Sequence, residues 1–124
     1  MRVQLIVCSL ITAVICGSGA MALTNNPLAP ATPKTVKEVM KIAHKEGLMK
    51  KVQGGSASDE EKKQLLDLYI DLAEGEPKKG DKTEWKVAAG ATVISAAKVV
   101  LGREGALDEL KKATDCMACH SKFK

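Results

Sequence analysis

Two thiols three positions apart with a histidine directly after the second, Cys116-Met117-Ala118-Cys119-His120, restrict this chain more than any other stretch does. That spacing is the attachment pattern of a c-type haem, in which both sulfurs bond to the porphyrin and the imidazole ligates the iron. On a helix the three side chains share one face, because spacings of three and four meet over one turn. Ala113 upstream and Phe123 downstream continue that face, so the pattern calls for a helix with an apolar strip along which a macrocycle can lie. Other chemistries fit less well. A zinc site needs four ligands, and outside the motif only His44 is a natural nitrogen or sulfur donor once the export segment is removed. A thioredoxin-like dithiol needs a βαβ setting, and no alternating strand pattern occurs anywhere in the chain.

Residues 1–22 read as a secretory signal peptide. Arg2 is the positive start, Val3 to Cys16 is an almost unbroken apolar run, and Ala20-Met21-Ala22 is an A-x-A cleavage site. The run is shorter than the roughly 20 residues a spanning helix needs, so no stable membrane anchor is expected. Two of the four cysteines, Cys8 and Cys16, lie in this segment. The mature chain, residues 23–124, then keeps Cys116 and Cys119 alone, which cannot build a disulfide framework and are free for another chemistry. The expected location is periplasmic, where such haems are attached.

The remaining chain is written in helical periods. Pro33 is placed to open a first helix, with Val36, Val39, Met40, Ala43 and Gly47 forming its apolar stripe down to about Val52, and Gly54-Gly55 stops it. Ser58-Asp59-Glu60-Glu61 is a capping box for a second, whose buried face is Leu65, Leu68, Tyr69 and Leu72, with an end at Gly75. Glu76-Pro77-Lys78-Lys79-Gly80 is a polar surface loop. Asp81 and Glu84 repeat the capping pattern for a third helix through Trp85, Ala88, Ala89, Thr92, Ala96, Val99 and Val100, ended by Gly102. A fourth carries Leu107, Leu110, Ala113 and Met117 towards the motif. Four helices joined by short polar links predict an all-α fold, an antiparallel up-down-up-down four-helix bundle.

Composition adds one requirement and one exclusion. Trp85, Tyr69 and Phe123 are the only aromatic residues in 124, so the chain is short of core volume that a buried porphyrin supplies. The formal net charge of +4 falls by one with the loss of Arg2, which favours an acidic partner and is too small to suggest nucleic acid.

With the motif on the last of four helices and Ser121-Lys122-Phe123-Lys124 after it, the chain resembles the class II c-type cytochromes, the cytochrome c′ type. Val39-Met40-Lys41 is similar, more weakly, to the first helix of that family. The resemblance implies one covalent haem c, with Cys116 and Cys119 as thioether sites and His120 as the proximal iron ligand. It also implies that the first helix faces the distal side. Two candidates lie there. At about 100° per residue Met40 sits roughly 40° from the centre of the apolar stripe and His44 roughly 80°. A sixth ligand from either predicts a periplasmic electron carrier, not an enzyme, since no catalytic acid or base is evident. An open site predicts instead a five-coordinate protein binding nitric oxide or carbon monoxide. Lys37, Lys41 and Lys45 form a basic edge beside this face, either a solvated surface or a docking patch for an acidic redox protein. Monomer and homodimer are both compatible with the sequence.

Overall fold

The computed structural model describes residues 32–124. The expected signal segment, residues 1–22, lies outside the described residues. Those described are helical without a strand: α1 Val36–Val39, a π-helical turn Met40–Lys45, α2 Leu48–Gln53, α3 Asp59–Glu74, α4 Lys82–Val100, α5 Ala106–Ala113 and α6 Cys116–Phe123. None of these helices is long and apolar enough to cross a membrane.

The first helical region departs from the sequence expectation at both ends. Pro33 stays outside it. Thr35 caps α1 in a complete box, its hydroxyl accepting from the Glu38 N–H while the Glu38 carboxylate accepts from the Thr35 backbone. The stripe does not continue as one helix to Val52. Glu46 N–H donates to the Lys41 carbonyl at 2.9 Å, an i→i+5 bond that widens the turn. Gly47, at φ 90°, then takes a left-handed conformation that an L side chain resists, and α2 starts afresh.

The middle of the chain follows its sequence signals closely. Ser58 and Glu61 form the capping box of α3, and Leu65, Leu68, Tyr69 and Leu72 are its buried face. Asp81 caps α4 by accepting from the Thr83 and Glu84 N–H groups, both at 2.9 Å. Its Ala-rich face buries Thr92 and Ser95 as well. Each hydroxyl donates to a carbonyl on the preceding turn, at 2.7 Å to Ala89 and 2.9 Å to Ala91, so burial leaves neither unpaired.

The most extensive packing is α3 on α4, then α5 on α4, with α1 on α3. Lys34 N–H donates to the Asp71 carboxylate at 3.1 Å and ties the entry of α1 to α3. The approach there is close, since a Cβ on Gly75 would lie 2.8 Å from Val36 Cγ2.

The expected fourth helix is two. Thr114 donates back to the Leu110 carbonyl at 2.7 Å, and Asp115 leaves the helical conformation to cap α6, accepting from Met117 N–H at 2.9 Å and Ala118 N–H at 3.3 Å. Asp is a poor helix-interior residue and a strong N-cap, and here the cap wins. The buried pair of α5 is Ala106 and Leu110, four apart. Leu107 is 40% exposed and Met117 73%, contrary to the stripe read from sequence, because Leu107 flanks that pair and Met117 lies beyond the break.

Candidate functional site

Side chains from α1, the π-helical turn, α3, α4, α5 and α6 line a cavity of about 540 Å³, within the roughly 300–1,000 Å³ range of small-molecule and cofactor sites. All five residues singled out by the sequence line it. Met40 and His44 come from the π-helical turn, and Cys116, Cys119 and His120 from α6. Its inner wall is apolar, with Val36, Leu72, Trp85, Ala89 and Phe123; Lys37, Lys45, Lys78 and Lys124 also border it and are exposed.

Each wall is held from below. Phe123 packs edge-on against Trp85, and the Trp85 indole N–H donates to the Gly75 carbonyl at 3.0 Å, fixing α6 to the loop that follows α3. The Asp115 cap starts α6 at Cys116, which puts Cys116, Cys119 and His120 on consecutive turns of one short helix. The π-helical turn, which supplies Met40 and His44 to the lining, changes the helical phase. A wider turn carries an extra residue, so positions along it lag behind an α-helix by up to about 100° in all. His44, well off the stripe in a regular helix, is brought back towards it and is half-buried against Tyr69, ring centroids 6.1 Å apart.

The electrostatics suit ligation better than nucleophilic chemistry. Burial, and then the His120 charge, hold the His44 imidazole below its ordinary pKa, leaving it in the neutral form whose lone pair can bind a metal. Burial pushes the Cys119 thiol up, with Asp115 and Cys116 adding to the shift, the opposite of an activated thiolate. Cys116 and Cys119 are free thiols. Among the described residues no three His, Cys, Asp or Glu side chains converge as a bare-ion site would require. A macrocycle has no such need, since its thioether positions and its iron are separate points.

Helical spacing assigns Tyr69 to the buried face of α3 and says nothing of the cavity. Its ring lines the cavity, and its hydroxyl is buried without a hydrogen-bond partner. A signal was available: a buried phenol needs a partner, and no polar residue at helical spacing around Tyr69 supplies one. The apolar wall, the two thiols with an adjacent imidazole, and a rim that carries Lys37, Lys45, Lys78 and Lys124 beside Glu76 and Asp115 would suit a flat apolar macrocycle with anionic edge groups.

No family model matches the chain, and neither a curated protein nor a solved structure does. The functional reading therefore rests on the site itself.

Proposed function

We propose that this chain is an exported, periplasmic monohaem c-type cytochrome that carries single electrons between redox proteins. The observation that carries the proposal is that Cys116, Cys119 and His120 share one cavity with Met40 and His44. The haem, when bound, supplies the one-electron chemistry at its iron. The chain's own residues do the rest. Cys116 and Cys119 hold the macrocycle covalently, His120 is the proximal ligand, and the first helical region offers the distal one. Val36, Leu72, Trp85 and Phe123 would exclude water from the macrocycle.

The same proposal extends to the fold, an up-down-up-down four-helix bundle of the cytochrome c′ kind. The pairings of α1 with α3, α3 with α4 and α4 with α5 support it. In that scheme α1 to α2 act as one interrupted helix, and α5 with α6 as another.

Mass spectrometry of the exported protein tests the reading. One covalently added haem is expected, and none when Cys116 and Cys119 are both replaced by alanine; an unmodified parent chain would end it. The optical spectrum then separates carrier from gas binder. Low-spin bands that resist carbon monoxide support the carrier. High-spin bands with ready carbon monoxide binding replace it with a five-coordinate gas-binding protein.

A further inference from the structure

Tyr69 carries a hydroxyl that no other described residue uses. Its side chain is 0% exposed, and its hydroxyl has no hydrogen-bond partner among the described residues. Buried polar groups are nearly always satisfied, so an exception points to an absent partner. The contrast within this protein is direct, because the buried hydroxyls of Thr92 and Ser95 both reach backbone carbonyls. Tyr69 instead faces the cavity wall with its ring against that of His44, at a centroid separation of 6.1 Å and an angle of 38°.

An imidazole that binds metal through one ring nitrogen keeps an N–H on the other. That N–H is almost always given to an acceptor, which orients the ring and raises its basicity as a ligand. A phenol oxygen can accept it. We propose that the Tyr69 hydroxyl accepts the free N–H of His44 in the haem-loaded protein, so that His44 is the distal iron ligand and Tyr69 the positioning residue that aims it. This rests on the haem reading above and deepens it by choosing between the two distal candidates.

Two alternatives are less consistent with the geometry. A Met40 thioether on the iron has no N–H for the phenol to accept, so with Met40 as the ligand Tyr69 has no part in aiming it. Met40 already packs against the core cluster. A propionate is an unsuitable partner at this depth, since a carboxylate buried without a charge partner is heavily penalised while the lysines of the rim stand in solvent.

The test uses the exported, haem-loaded full chain and its Tyr69→Phe, His44→Ala and Met40→Ala variants. Each is checked by mass spectrometry for covalent haem before its optical and electron paramagnetic resonance spectra, midpoint potential and rate of carbon monoxide capture are read. The parent and Met40→Ala proteins are expected to be low-spin, and His44→Ala high-spin. Tyr69→Phe is expected to remain low-spin with a raised midpoint potential, since its ligand donates less to ferric iron, and to capture carbon monoxide on the order of tenfold faster. A Tyr69→Phe protein matching the parent in potential and capture rate overturns the proposal. So does a high-spin parent with haem attached, or loss of the low-spin bands in Met40→Ala instead of His44→Ala; in these cases the covalent-haem reading survives. A parent chain without haem removes both.

Discussion

Phe123, in the last turn of α6, meets Trp85 of α4 edge to face, with ring centroids 5.3 Å apart and an interplanar angle of 79°. The pair joins two of the chain's three aromatic residues across the floor of the cavity. Aromatic pairs in this geometry add to the area they bury, so this contact is the main clamp on a helix only two turns long. Phe123→Ala is expected to destabilise the protein by about 3 kcal/mol, at the lower end for a buried phenylalanine because α6 is short and can shift. Denaturant unfolding followed by Trp85 fluorescence measures it, and the yield of haem-bearing protein should fall in parallel.

Gly80 approaches the same helix closely. Its φ of 88° is left-handed, and a Cβ there would lie 2.8 Å from both the Lys122 carbonyl oxygen and Phe123 Cδ1. A backbone oxygen cannot swing aside as a flexible side chain can. Gly80→Ala should therefore cost about 2 kcal/mol from backbone conformation and contact together. It should also push α6 outward, seen as a change in Trp85 emission before unfolding begins. Gly55, at φ 73° with open space around it, provides the control: its alanine variant bears the conformational cost without moving α6.

These two contacts mark where sequence reasoning reaches and where it stops. The helices α3 and α4 were legible because their signals are local: Ser58 with Glu61, and Asp81 before an apolar period. Cys116, Cys119 and His120 stand out in the sequence because two thiols and an imidazole at that spacing have few other uses. The break at Asp115 is masked in the sequence, although Asp is a strong cap, because the apolar period runs on through Ala113 to Met117. The π-helical turn leaves no periodic trace in six residues, so an ideal helix sets His44 further from the apolar stripe than its place in the cavity lining does. Gly80 and Tyr69 matter through contacts with segments far along the chain, which spacing cannot encode.

The capping boxes make the fold sensitive to acid. Lys51 and then the Ser58 N–H hold the Glu61 carboxyl below its ordinary value of 4.5, and the Thr35 hydroxyl and N–H do the same for Glu38. A depressed carboxylate contributes stability that is complete above the unfolded value and is lost as pH falls through the lower folded value. Thermal midpoints should thus be flat above about pH 5 and drop below pH 4.5. Glu61→Gln should flatten part of that drop. Ser58→Ala should lower stability by about 1 kcal/mol at neutral pH, by removing the acceptor for the Glu61 N–H.

The lysine edge supplies a prediction for the carrier reading. Lys41 lies 3.8 Å from Glu46, which partly neutralises it. Lys37 and Lys45 are exposed and border the cavity, the route by which an electron would reach an enclosed haem. Complementary charges accelerate encounter more than they tighten it, and screening shortens their reach to about 8 Å at physiological salt. Stopped-flow reduction of the haem-loaded protein by an acidic redox protein should slow as salt is raised. Lys37→Glu with Lys45→Glu should reduce the low-salt rate on the order of tenfold and flatten the salt dependence. Reduction by a small neutral reagent should be unchanged. If both reductants slow equally, the lysines serve solubility alone.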